Sequence, residues 1–136
     1  MTPAFIWPVR VYYEDTDAGG VVYYANYLKY TERARSEWLR ALGFEQTTLA
    51  QEHKVVFVVR AVALDYVLPA RFNDELEVTV EPRDVRGSQI QIAQTIMRGG
   101  QILVTTEVKL ACVNTQSFRP VRIPLAILEQ IAMRKA

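Results

Sequence analysis

The chain has 136 residues, half of them hydrophobic and 23% charged, a composition that excludes a disordered polymer and can bury a core without a disulfide or metal staple. Sixteen Lys and Arg against fifteen Asp and Glu leave a formal charge of +1, which lacks the basic excess of a nucleic-acid-binding domain, so no nucleic-acid partner is expected. Cys112 is the one cysteine and fits a reducing compartment. The opening MTPAFIWPVR carries two prolines and no long apolar run, so no signal peptide is expected. No uncharged apolar segment reaches the roughly 18 residues that span a bilayer. The expectation is one cytoplasmic domain over residues 1–136.

In chain order, residues 5–13 are β-rich, with Pro8 placing them at a sheet edge or marking a late strand start. Residues 14–25 form a loop that crowds Glu14, Asp15 and Asp17 against Gly19-Gly20. A long helix is expected over 26–42, with Asn26 as its N-cap and Gly43 as a left-handed C-terminal cap. Tyr27, Thr31, Ala34, Trp38 and Leu42 line one face of it, flanked by Leu28, Arg35 and Leu39, as suits a helix lying across a sheet. Residues 47–53 read as one or two further helical turns.

The second half is β. A strongly apolar strand is expected over 54–67, with 55–59 buried on both faces. Residues 68–71 break it, and Asn73-Asp74 turns the chain into a strand over 75–82, where Leu76, Val78 and Val80 alternate with polar residues. A turn over 84–87 leads to a strand over 88–97, and Gly99-Gly100 is a hairpin signal before a strand over 101–114. Pro124 opens a short helix over 125–133. The fold class is therefore α+β: a long helix packed on a curved antiparallel sheet of about five strands, with a short C-terminal helix. One sheet about one helix leaves bare edges, so a homodimer is expected as the building block of a homotetramer.

The loop before the long helix is the place for chemistry. A carboxylate there can act on a reacting group, while the helix start offers free N–H groups and partial positive charge to a developing oxyanion. Asp15 and Asp17 would point the same way in an extended stretch, and a close pair would raise one pKa. The favoured reading has Asp15 and Glu14 capping or solvating the loop. The sequence has no G-x-S-x-G, and its one histidine, His53, reads as a surface or helix-end residue. No Cys/His cluster supplies metal ligands, so no metal is expected.

The run from Tyr13 to Arg35, with Asp17, Gly20, Val22, Tyr23, Tyr27, Glu32 and Arg35 in this spacing, resembles the signature of the hotdog-fold 4-hydroxybenzoyl-CoA thioesterase family. Within it the chain is most similar to the bacterial Tol–Pal-associated, YbgC-type acyl-CoA thioesterases. The strand order and the RPVRIP segment at 119–124 fit the same group.

The resemblance implies hydrolysis of an acyl-CoA thioester to a free acid and coenzyme A, with Asp17 as nucleophile or general base and the Tyr24 backbone N–H polarising the thioester oxygen. YbgC-type members often carry histidine where this chain has Tyr24; the tyrosine agrees with the 4-hydroxybenzoyl-CoA branch. Gly19 and Gly20 would supply tight backbone geometry for the approaching thioester. Substrate would meet Gly20, Val22, Tyr23 and Tyr27, with Tyr30, Phe57 and Val59 as further pocket candidates. Coenzyme A phosphates would meet Arg86 and Ser88, with Arg83, Arg119 and Arg122 as further cations. A related branch places its carboxylate on the helix, which makes Glu32 a substitute for Asp17; a salt bridge is its simpler role. No cofactor is implied, coenzyme A being part of the substrate, and an acyl carrier protein is the other carrier in view. The rivals are a hotdog dehydratase, which would need a histidine in the loop, and a non-catalytic acyl-CoA or acyl-carrier-protein binding module.

Overall fold

A computed structural model describes residues 5–135 of the chain. Its strands are β1 (Phe5–Arg10), β2 (Val55–Tyr66), β3 (Glu75–Arg86), β4 (Gln89–Arg98) and β5 (Gln101–Asn114). Its helices are α1 (Tyr27–Ala41), the single turn α2 (Gln46–Thr48), and α3 (Leu125–Lys135). A wide turn, Leu49–His53, follows α2. The five strands form one antiparallel sheet in the order β1-β3-β4-β5-β2. This is the expected α+β arrangement of a long helix, a five-stranded sheet and a C-terminal helix.

Helix α1 lies across β1 and β3. Its face Tyr27, Thr31, Ala34, Trp38 and Leu42 is buried as the spacing requires, and Tyr30 and Leu39 join it. The helix ends at Gly43, whose φ of +102° is open to glycine at no steric cost. Gly43 N–H donates to the Arg40 carbonyl and Phe44 N–H to the Leu39 carbonyl, the paired bonds of a Schellman cap. Helix α3 buries Ile127 and Ile131 against the core that Ile123 also enters. The β4–β5 hairpin turns on Gly99 and Gly100, both at positive φ, which matches the right-handed twist of the strands.

The strands differ from the sequence reading in three places. The strand expected over 5–13 stops at Arg10, because Tyr13–Asp15 coils into a short turn of 3-10 helix. The strand expected over 75–82 runs on to Arg86, so the turn expected at 84–87 shrinks to Gly87 and Ser88. Residues 55–59 are not buried on both faces: Val55 is buried, Val56, Phe57 and Val58 are half-buried, and Val59 is 50% exposed. The reason is that β2 is an edge strand, paired only with β5.

Gln94 is a buried polar residue that the sequence reading did not single out. It follows Ile90 and Ile92 in phase on β4 and is buried with them. Its amide donates to the Thr31 carbonyl of α1 (3.1 Å) and the Thr79 carbonyl of β3 (3.3 Å), and its oxygen accepts from Arg35 Nη1 (3.0 Å). A buried amide is tolerable when satisfied in this way, and here it pins the helix to the sheet.

Candidate active site

The loop between β1 and α1 is held at both ends by one buried carboxylate. Asp15 Oδ2 accepts the Tyr12 N–H (2.8 Å), and Asp15 Oδ1 accepts the Asn26 side-chain amide (2.6 Å). Tyr23 N–H donates to the Asp15 carbonyl, closing the loop a third time. Asp15 is only 6% exposed. It therefore does more than solvate the loop, and the turn at Tyr13–Asp15 sends its side chain inward, away from any pairing with Asp17. Asn26 does not cap α1 with its side chain as expected; its amide is spent on Asp15, and its backbone is already helical. Beneath them the buried Tyr30 hydroxyl has no hydrogen-bond partner among the described residues. Burial and the neighbouring Asp15 charge hold its proton on, well above the ordinary phenol range.

Asp17 lies in the exposed part of the loop. Its N–H donates to the Val21 carbonyl, its carbonyl accepts the Gly20 N–H, and its Oδ1 accepts the Gly19 N–H at 2.8 Å. One carboxylate oxygen is thus oriented, and the other has no partner among the described residues. Gly20 occupies φ +78°, where a side chain would be strained. A Cβ on Gly19 would come within 3.2 Å of Asp17 Oδ1, so that glycine makes room for the carboxylate itself.

The chain then climbs into the helix through a 3-10 turn, Tyr24–Asn26. Asn26 N–H donates to the Tyr23 carbonyl (2.8 Å), while the Tyr24 N–H has no acceptor among the described residues. This is the unpaired amide that the helix start was expected to present.

Tyrosines surround the loop. Tyr23 and Tyr24 rings lie 4.8 Å apart, Tyr24 meets Tyr66 edge-on at 6.5 Å, and Tyr66 meets Tyr27 at 5.5 Å. The Tyr23 hydroxyl is held protonated above its ordinary range, first by the Tyr24 hydroxyl and more weakly by the Asp17 charge. Burial does the same for Tyr27, with Asp17 again contributing, although the Ala70 N–H that its hydroxyl accepts pulls the other way.

Of the residues expected to meet substrate, Asp17, Gly20, Tyr23 and the Tyr24 amide are brought together and exposed. Val22 and Tyr27 are in the same place but turned into the core, 4% and 3% exposed, and Tyr30 is wholly buried. Arg86 and Ser88 are not brought to the loop. They sit where β3 turns into β4, whereas the loop joins the opposite end of β3, bonding Val11 N–H to the Asp74 carbonyl. Twelve residues of strand separate those ends by roughly 36 Å. Arg86 pairs with Asp84 at 3.0 Å and lines a separate cavity of about 240 Å³ with Gln89 and Lys109.

The remaining candidates also lie elsewhere. Arg83 pairs with Glu81, and Arg119 and Arg122 are exposed. Phe57 and Val59 line a cavity of about 180 Å³ beside Glu32, Arg35 and Trp38, two turns along α1. Glu32 accepts the Ser36 hydroxyl at 2.6 Å, and no salt bridge joins it to the loop among the described residues. His53 ends the turn before β2, at the far end of that strand from Tyr66. Burial pushes the Cys112 thiol up to about 11, so it stays an inert core thiol. Among the described residues no cluster of three His, Cys, Asp or Glu could hold a metal ion, and no helix is long and apolar enough to cross a membrane.

Residues 11–131 match the family described as the thioesterase-like superfamily. An acyl-CoA thioesterase YbgC of Haemophilus influenzae is 49% identical over 120 residues, covering 88% of each chain. An acyl-CoA thioester hydrolase YbgC of Escherichia coli is 44% identical over 130 residues, covering 95% of this chain and 96% of that one. Among solved structures, a probable thioesterase from Bartonella henselae superposes with a TM-score of 0.86 at 36% identity, covering 90% of this chain and all of the other. The matched segment spans strands β2 to β5, the site loop and all but the end of α3, and the chain belongs to the thioesterase-like superfamily of hotdog proteins, among the relatives of the YbgC group.

Proposed function

We propose that this chain is an acyl-CoA thioesterase that uses Asp17 against the thioester carbonyl and the Tyr24 N–H against the developing oxyanion. The observation that carries the reading is the geometry of one loop: an Asp17 oxygen oriented by Gly19, its other oxygen unpaired, and an unpaired amide at the start of a fifteen-residue helix. Relatives at 44% and 49% identity that bear the names of acyl-CoA thioester hydrolases support it.

As general base, Asp17 takes a proton from water while the water oxygen attacks the carbonyl carbon. The carbonyl oxygen becomes an oxyanion held by the Tyr24 N–H and the helix dipole. Collapse breaks the C–S bond, and the proton on Asp17 passes to the coenzyme A thiolate. As nucleophile, Asp17 displaces that thiolate directly and water then hydrolyses the mixed anhydride, giving the same acid and thiol. Neither route calls on a metal or cofactor.

The proposal extends to assembly. The outer edge of β2 is bare over an apolar stretch, with Val59, Ala61 and Val62 exposed, and a second copy of the chain is the occupant that would cover it. Arg86 and Ser88 join the Asp17 loop of one site only if such a copy supplies them.

The test is thiol release from a panel of short, long and aromatic acyl-CoAs, with one acyl carrier protein thioester included. Turnover of any of them supports the enzyme and names the acyl and carrier class. Binding without release across the panel would replace it with a binding module.

A further inference from the structure

Tyr66 is the last residue of β2, and no motif singles it out. Its hydroxyl crosses from the sheet to the helix start and donates to the Tyr24 carbonyl at 2.9 Å. Its ring is wedged against Tyr24 and Tyr27, which limits its freedom to leave that position.

Two successive peptide units meet there. The Tyr23–Tyr24 unit has its carbonyl taken by the Asn26 N–H and presents the Tyr24 N–H; the Tyr24–Ala25 unit has its carbonyl taken by the Tyr66 hydroxyl and presents the Ala25 N–H. Neither N–H has an acceptor among the described residues. Amides of one helical first turn point the same way. A peptide whose carbonyl accepts a hydrogen bond is polarised and donates more strongly through its N–H.

Resting on the thioesterase reading, we propose that Tyr66 is a positioning residue: its hydroxyl fixes and polarises the Tyr24–Ala25 peptide, making the Ala25 N–H a second donor to the thioester oxygen beside the Tyr24 N–H. Tyr66 itself touches no reacting atom. Its effect is confined to how well the oxygen is held as charge develops there.

Tyr66→Phe keeps the ring and its packing and removes only the hydroxyl. The account expects kcat to fall about tenfold, less than the loss of a whole oxyanion donor, with KM changed less than about twofold and the thermal midpoint nearly unmoved. A structural role alone would not alter a bound carbonyl. The infrared band of a ¹³C-carbonyl acyl-CoA is therefore compared on Asp17→Asn and on Asp17→Asn/Tyr66→Phe, a measurement that needs binding but no turnover. The hydroxyl's removal should reduce the red shift of that band. An unchanged band, or a kcat loss that merely tracks lost stability, overturns the proposal. If the wild type binds but does not hydrolyse, the thioesterase reading fails while the band still decides the role of Tyr66. If no acyl-CoA binds, both fall.

Discussion

At the scale of single residues, Asp15 and Asp17 show how two carboxylates two positions apart acquire opposite duties. Asp17 was singled out by the resemblance of its loop to the thioesterase signature, and the structure leaves it exposed with one oxygen held by the Gly19 N–H. The burial of Asp15 was not legible, because it depends on the 3-10 turn at Tyr13–Asp15, which no periodicity announces. Asp15→Ala would leave the Tyr12 N–H and the Asn26 amide unpaired, and should cost about 3 kcal/mol in denaturant unfolding. Gly43→Ala, forced into φ +102°, should cost about 1 kcal/mol by the same measurement.

Asp74, which holds the turn before β3, carries a pH signature. Burial acts to raise its carboxyl, but the Arg71 N–H and the Arg98 guanidinium at 2.6 Å outweigh it and hold the group below its usual value. A depressed folded-state pKa stabilises at pH above the unfolded value near 4 and loses that contribution as pH falls through the folded value. Asp74→Asn should therefore cost up to about 1 kcal/mol at neutral pH, and unfolding curves of the two proteins should converge as pH falls through the folded-state value.

At the scale of elements, the two hairpins and the burial face of α1 were legible, since each rests on local period and turn chemistry, whereas the sheet order was not: consecutive strands read as neighbours, yet β2 pairs with β5 and not with β3. The edge position of β2 was not: an apolar run reads the same whether covered by a helix or by a second molecule. Tyr66 escaped for a related reason, since its role depends on where the end of β2 comes to rest against α1. That Arg86 and Ser88 lie at the opposite end of β3 from the loop of their own chain was not legible, because sequence proximity to a turn does not say at which end of the sheet the turn lies. Helix α3 packs through few residues, so Ile127, fully buried, should matter: Ile127→Ala should cost about 3 kcal/mol in unfolding, with the cavity it leaves setting the exact value.

At the scale of the whole molecule, a twelve-residue, largely apolar edge left open would invite disordered association, and pairing with a second copy would remove that hazard. Sedimentation should find the wild type dimeric or larger at micromolar concentration. Val62→Lys, which sets like charges against each other across a symmetric interface, should shift it toward monomer. A monomeric wild type would mean that something else covers β2.

The account stands or falls on Asp17. Coenzyme A release, followed with a thiol reagent, should be compared in the wild type and Asp17→Asn at matched folded concentration. The account predicts at least about a thousandfold loss in kcat with acyl-CoA still bound, because the exchanged oxygen can neither attack nor take a proton. Equal rates in the two proteins would contradict it and move the chemistry to another carboxylate, with Glu32 the next to be replaced.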